Sequence, residues 1–266
     1  MKLRCFIKDS IRKSYIYPKE AVSCFFDKNS IRVLFSRSFI GNGAKSREFF
    51  MLPLKKKLEE KGKTLRFVEY FKPHIQFFGV FGPPSYKNKI KNSKAKYKIF
   101  FTGENINNSS GHYYHYKGAC VDYSTLSMGF DYINASNYLR FPLWLLYFFN
   151  PLYTKDDIQK KLQEFTITYK KIKFCALIAS HDASGLRTRI LDLVSKAGVV
   201  DRPGRFMHND DSLHTQFNNS KLAYLRQYYF NICPENSICT GYVTEKLFES
   251  LYSGCIPIYT GGGGRP

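Results

Sequence analysis

Apolar positions along this chain fall into short runs separated by polar or glycine-rich breaks. Residues 65–82, LRFVEYFKPHIQFFGVFG, place two apolar runs around Lys72-Pro73, with Gly79 and Gly82 closing the second. Runs of this length bounded by Gly and Pro predict buried strands. Gly82-Pro83-Pro84 breaks the chain, a Lys/Asn-rich loop follows, and Tyr97-Lys98-Ile99-Phe100-Phe101 predicts a further strand. That strand delivers Thr102-Gly103-Glu104-Asn105 at its carboxyl end, and residues 106–120 read as a polar loop. Residues 156–169 are polar and predict a connector between two halves, dividing the chain into domains 1–160 and 161–266.

The second half repeats one unit. KFCALIAS at 173–180 predicts a buried strand, 181–185 a turn, and 187–197 a helix with Ile190, Leu191, Val194 and Ala197 on one side. Gly198 stands where a C-cap glycine belongs. A strand at 228–233 follows, then a loop, a helix from about Thr244 to Ser253, Gly254 as its stop, and a strand at 255–259. Strands alternating with helices predict a parallel, doubly wound α/β sheet. Ligands bind such sheets beyond the carboxyl ends of the strands.

Composition adds limits. With 44% hydrophobic and 23% charged residues in 266, the chain is globular rather than disordered. A net charge of +20 favours anionic partners, with a nucleotide or an anionic membrane surface ahead of nucleic acid, because no nucleic-acid-binding signature accompanies it. Seven cysteines without a CxxC pair predict reduced, buried thiols. The most apolar run, FPLWLLYFF at 141–149, is far short of the ~20 residues of a spanning helix. No signal peptide is visible, so the expected location is cytoplasmic or peripheral on an inner membrane face.

Thr244-Glu245-Lys246 opens a helix, with Thr244 as N-cap and Leu247, Phe248, Leu251 and Tyr252 as the buried face. Helix N-termini attract phosphate. Lys246 in that first turn runs against the helix dipole and makes sense beside an anionic ligand. Arg187 is placed alike at the start of the preceding helix, so the two cations suggest a diphosphate clamp. His112, His115, Cys120 and Asp122 fit no standard zinc spacing and read as loop residues.

Phe230-Asn231-Ile232-Cys233-Pro234-Glu235-Asn236-Ser237, Gly241-Tyr242-Val243-Thr244-Glu245-Lys246-Leu247 and Gly254-Cys255-Ile256-Pro257-Ile258-Tyr259 resemble the signature of the α-1,3-fucosyltransferases of glycosyltransferase family 10, bacterial type. Phe101 to Asn105, Gly129-Phe130-Asp131 with Tyr138 to Pro142, and Lys173 to Ser180 followed by Arg187 agree in order and spacing, so the resemblance spans roughly residues 65–260. It implies a GT-B architecture, two Rossmann-like domains with an interdomain cleft, and inverting transfer of L-fucose from GDP-fucose. The acceptor would be the 3-hydroxyl of N-acetylglucosamine or glucose in an oligosaccharide such as N-acetyllactosamine. Position by position, Arg187 and Lys246 would hold the pyrophosphate, Asn236, Tyr242 and Glu245 would line the donor pocket, and Glu104 would be the general base. No cofactor and no essential divalent metal are expected.

Three features depart from the pattern: Pro234 replaces an aromatic residue, His181 replaces an Asn, and the end at Gly261 to Pro266 looks truncated. Two other readings follow from the same sequence. The glycine-rich end suggests a remnant that binds nucleotide or glycan without turnover. The charge alone suggests a basic nucleic-acid or membrane-surface binder.

Overall fold

The computed structural model describes residues 2–40 and 43–263, and the side chains of 11–39 and 43–263. The chain forms two compact units, residues 1–129 with 133–140, and residues 130–132 with 141–266. The division at Phe141 lies upstream of the 160/161 position read from the sequence.

The first unit opens with α1 (Lys2–Phe26), β1 (Ser30–Phe35), α2 (Arg37–Ile40) and α3 (Gly43–Glu59). It continues with β2 (Thr64–Phe67), β3 (Ile75–Phe78), α4 (Tyr86–Asn92), β4 (Tyr97–Phe101), β5 (Leu126–Gly129) and β6 (Tyr138–Arg140). The six strands make one sheet in the order β2-β1-β3-β4-β5-β6, every pair parallel. The apolar runs at 65–82 and 97–101 are thus strands, as their pattern predicts. The segment at 106–120 is irregular but not simply polar. Ile106, Tyr116, Ala119 and Cys120 are buried with Phe78, Val80, Ile90 and Phe100, forming one core above the sheet. His115 and Cys120 belong to this packing: the His115 ring lies 4.2 Å from that of Tyr116, and burial pushes the Cys120 thiol up to about 12. Among the described residues no group of three or more His, Cys, Asp and Glu side chains is placed to hold a metal ion.

The second unit contains α5 (Trp144–Phe148), α6 (Lys155–Gln163), β7 (Lys173–Ala176), α7 (Leu186–Val194), β8 (Val200–Asp201), α8 (Ser212–Thr215), α9 (Lys221–Leu225), β9 (Tyr228–Ile232), α10 (Glu245–Tyr252) and β10 (Ile256–Ile258). Its sheet is also parallel, in the order β10-β9-β7-β8. The run at 141–149 supplies α5, whose Trp144 ring stacks on Phe248 at 4.3 Å and whose Phe148 packs on Phe165, Phe248 and Tyr252. The most apolar stretch of the chain is therefore core. Among the described residues no helix is long and apolar enough to cross a membrane.

Two local expectations are corrected. The polar stretch at 156–169 is not a plain connector. It lies in α6 and the turn after it, and α6 opens on a complete capping box in which Thr154 and Asp157 each bond the other's backbone N–H. Gly198 is not a C-cap, because α7 ends at Val194 with Ser195 capping it. A Cβ at Gly198 would come 2.6 Å from the Phe174 ring, so close packing against β7 requires the glycine. Gly254, by contrast, does terminate α10 with φ of 67°. The six described cysteines are all free, five of them buried.

Candidate functional site

In the strand order β10-β9-β7-β8, chain direction across the sheet reverses between β7 and β9. Connections from these two strands leave in opposite directions, which opens a crevice at their carboxyl ends. Residues following each strand meet there.

From the β7 side comes the turn at 181–185 and the start of α7. The Asp182 carboxylate accepts hydrogen bonds from the backbone N–H groups of Arg187 (3.2 Å) and Thr188 (2.9 Å) and from the Thr188 hydroxyl (2.8 Å). Partial burial works against its charge, yet these donors and the Arg187 guanidinium hold the Asp182 carboxyl below the usual carboxylate range. Asp182 thus caps α7 where Gly185, in the left-handed region, offers no side chain.

Arg187 is 7% exposed. Its Nη1 donates to the His181 carbonyl (2.6 Å), and its Nη2 to Asn236 Oδ1 (2.8 Å), with the Pro234 carbonyl at 3.5 Å. The guanidinium therefore bridges the loops after β7 and β9. His181 and Pro234, two of the three departures from the pattern, serve it through backbone carbonyls that any residue supplies.

From the β9 side comes Glu235, whose side chain has no exposed surface. Its Oε1 accepts from the Thr244 N–H (2.7 Å) and the Tyr259 hydroxyl (3.2 Å), and its Oε2 from the Thr244 hydroxyl (2.7 Å) and the Lys246 ammonium (3.2 Å). A buried carboxylate is tolerated only when paired and fully hydrogen-bonded, and these four donors meet that condition. Burial and the nearby Glu235 charge raise the Tyr259 phenol above its ordinary value.

Thr244 is the N-cap residue of α10, but its side chain does not cap the helix. Its hydroxyl turns instead to Glu235 and accepts from Lys246 Nζ at 2.8 Å. Lys246 is stabilised against the helix dipole by Glu235, with Glu245 Oε1 a further 3.6 Å contact. The two cations that the sequence pairs thus bind adjacent residues of the loop after β9, Arg187 to Asn236 and Lys246 to Glu235.

Tyr242 is 3% exposed, and its ring packs edge-on against Phe130 at 4.9 Å. The preceding Gly241 has φ of 76°, and a Cβ there would come 2.8 Å from the Tyr132 ring and 3.1 Å from the Phe130 carbonyl. This packing fixes the loop that leads into α10. Backbone bonds from Glu235 N to Thr260 O (2.9 Å) and from Gly262 N to Tyr242 O (3.0 Å) fold residues 260–262 against the same loop.

Glu104 belongs to the N-terminal unit, just past β4. Its backbone N–H donates to Thr102 Oγ1 (3.0 Å), and Asn105 Oδ1 accepts from Asn107 N (2.9 Å), so the strand end is a defined turn. Burial, together with the Glu104 charge, raises the Tyr113 phenol.

Glu235 and Asp182 escaped the sequence reading as anchors, although a charged residue two positions past the apolar run at 228–233 was a visible signal for the first. Asp182 looked like one more turn residue.

Comparison with known proteins bears on the family and the fold. The C-terminal model of glycosyltransferase family 10 (fucosyltransferase) matches residues 167–265, and the N-terminal domain model of alpha-(1,3)-fucosyltransferase FucT matches residues 54–147. Alpha-(1,3)-fucosyltransferase FucT of Helicobacter pylori is 27% identical over 211 residues, 68% of this chain and 41% of that protein. GDP-fucose protein O-fucosyltransferase 3 of Xenopus laevis is 30% identical over 113 residues, 40% of this chain and 24% of that protein. The chain thus spans less than half the length of these relatives. A crystal structure of alpha1,3-fucosyltransferase superimposes with a TM-score of 0.57 at 20% identity, covering 87% of this chain and 69% of that one. A second, with GDP-fucose, gives 0.54 at 21% identity, covering 87% and 68%. These two likenesses establish the GT-B type of fold, with its two parallel sheets. With the two family models met in order along the chain, the protein belongs to glycosyltransferase family 10, the fucosyltransferases.

Proposed function

We propose that this protein transfers L-fucose from GDP-fucose to a glycan hydroxyl, the 3-hydroxyl of an N-acetylglucosamine or glucose unit, with inversion at the anomeric carbon. The observation that carries the donor half is the Arg187–Asn236 and Lys246–Glu235 network at the β7/β9 switch point. It presents two fixed cations where a diphosphate would sit, and Asn236 and Glu245 stand beside them to meet the nucleotide and sugar.

In the reaction the bond between the anomeric carbon and the diphosphate oxygen breaks, and the negative charge that develops on GDP is met by Arg187 and Lys246. Cations fixed before the substrate arrives need no reorganisation as that charge grows, which makes them effective in the transition state. The acceptor hydroxyl attacks from the opposite face and gives its proton to Glu104, a general-base role suited to a carboxylate at a strand end. Tyr242 contributes by holding the loop that aims Lys246. No cofactor or metal takes part in this scheme. An anionic membrane surface is a second partner that the net charge of +20 would favour.

The test is turnover of GDP-fucose with N-acetyllactosamine by the full chain. Transfer that falls by at least about a hundredfold in Glu104→Ala, with GDP affinity retained, supports the scheme, since general-base groups contribute roughly that much or more. GDP binding without any transfer would leave only a nucleotide-binding protein, and transfer unaffected by Glu104→Ala would remove that residue from the mechanism.

A further inference from the structure

The N-terminal sheet has a switch point of its own. In the order β2-β1-β3-β4-β5-β6, direction across the sheet reverses between β1 and β3, and a cavity of about 690 Å3 opens beyond those strands. That volume lies within the range of small-molecule sites. Its aromatic part includes Phe35, whose ring stacks on Phe67 at 5.9 Å and on Phe77 at 4.9 Å. Tyr86 stands on another wall, and Gly82 admits it, because a Cβ at Gly82 would come 2.7 Å from the Tyr86 ring. Lys89 lies over that ring, its Nζ 4.0 Å from the centroid.

Charge sets this cavity apart from an ordinary apolar pocket. Among the described residues, Arg12, Arg37, Arg47 and Lys89 line it with Glu48 and Glu69 as the acids, and Glu69 is already engaged by Arg12 at 3.0 Å. Arg47, its guanidinium 6.0 Å from the Phe35 ring centroid, has its Nε buried with no hydrogen-bond partner. Arg47 lines the cavity, so an anionic group entering it would find a guanidinium able to make charge-assisted hydrogen bonds. The walls are also anchored. Glu20 on α1 accepts the backbone N–H groups of Glu69, Tyr70 and Phe71, pinning the loop after β2 (2.6, 3.0 and 2.9 Å). Ser36 and Ser38 after β1 are joined at 2.8 Å, and Ser38 Oγ accepts from Gly79 N at 3.2 Å.

We propose that this cavity binds a saccharide bearing an anionic substituent, its ring against Phe35 and its carboxylate, sulfate or phosphate on Arg47. The saccharide identity rests on the glycan-acceptor reading above; the cavity's charge and shape do not. The family reading names Glu104 on the acceptor side and the donor residues of the other unit, and none of these residues lines this cavity.

The test is calorimetry on the full chain at fixed ionic strength, using neutral N-acetyllactosamine, a sulfated N-acetyllactosamine and inorganic sulfate, with GDP titrated in parallel. The sulfated disaccharide should bind about tenfold tighter than the neutral one, as one charge-assisted contact implies, and Arg47→Gln should abolish that difference. Lys55→Gln, on an exposed helix face outside the cavity, should preserve it, which separates the site from the general positive charge. An unchanged unfolding midpoint for Arg47→Gln would show that the variant folds. Equal affinity for the two disaccharides, a preference that survives Arg47→Gln, or inorganic sulfate binding as tightly as the sulfated sugar would overturn the proposal. Loss of GDP binding alone would contradict the donor reading and leave this site standing.

Discussion

Lys246 Nζ lies 3.2 Å from Glu235 Oε2, and the carboxylate in this pair has no exposed side-chain surface while the lysine keeps 23% of its own. The pair is therefore asymmetric. The acid is a permanent internal anchor, and the ammonium is its outward end, held in place and still reachable by a ligand. Glu235→Gln should destabilise the fold by roughly 2 kcal/mol, below the usual cost of breaking a fully buried pair because Lys246 can rehydrate. It should also weaken GDP binding, since the cation loses its fixed position. Urea unfolding and GDP titration check both effects, and wild-type stability in the variant would show that the network does not hold the loop.

Asp182 supplies a pH dependence. Its folded carboxyl titrates below the usual range, so the unfolded chain takes up this proton first as pH falls. Its stabilising contribution is complete above the ordinary carboxylate range and is lost as pH drops through the folded value. The start of α7, and Arg187 with it, should loosen only once pH falls below the ordinary carboxylate range. Asp182→Asn should remove that acid-side loss of stability while costing about 1 kcal/mol at neutral pH, as a weakened helix cap does. Unfolding midpoints from pH 7 down through the acid range, wild type against variant, check the sign.

Gly241→Ala should be destabilising for two separate reasons, a left-handed backbone at φ of 76° and a Cβ only 2.8 Å from the Tyr132 ring. The backbone term alone is about 1–2 kcal/mol. Thermal unfolding measures the loss, and a variant as stable as wild type would mean that the 241–243 loop is not packed as described.

Phe148→Ala should cost about 3–5 kcal/mol, the range for removing a buried aromatic side chain. Phe148 is buried among Phe165, Phe248 and Tyr252, so the loss should fall on the second unit. Amide exchange would detect it as faster exchange in α10 with β4 unaffected.

Much of the second unit was legible because its strands are short apolar runs ending in Gly, Pro or polar turns, and because both cations stand at helix starts. The segment from β9 through α10 to β10 was legible as a motif, from Phe230 to Tyr259. Its internal wiring was not, because Thr244 looks like an N-cap in sequence and only the fold shows its hydroxyl diverted to Glu235. The helix α6 was hidden by its polarity, although Thr154 and Asp157 spell its capping box. Gly198 was misread because a packing glycine and a capping glycine occupy the same place in a sequence. The first sixty residues gave no pattern. The helix α1 contains Pro18, which interrupts the helical spacing of Ile11, Tyr15, Val22 and Phe25, residues that the structure leaves exposed. The cavity beyond β1 and β3 depends on strand order, which brings Phe35, Arg47 and Tyr86 to one place from three separate segments.

The central claim is that Arg187 and Lys246 form a diphosphate site at the β7/β9 switch point. Titrating GDP into the wild-type chain and into Arg187→Ala and Lys246→Ala tests it most directly. The account predicts saturable binding by the wild type and a loss of at least about tenfold in each variant, the scale of one charge-assisted contact. No binding at millimolar GDP, or full affinity in both variants, would contradict it.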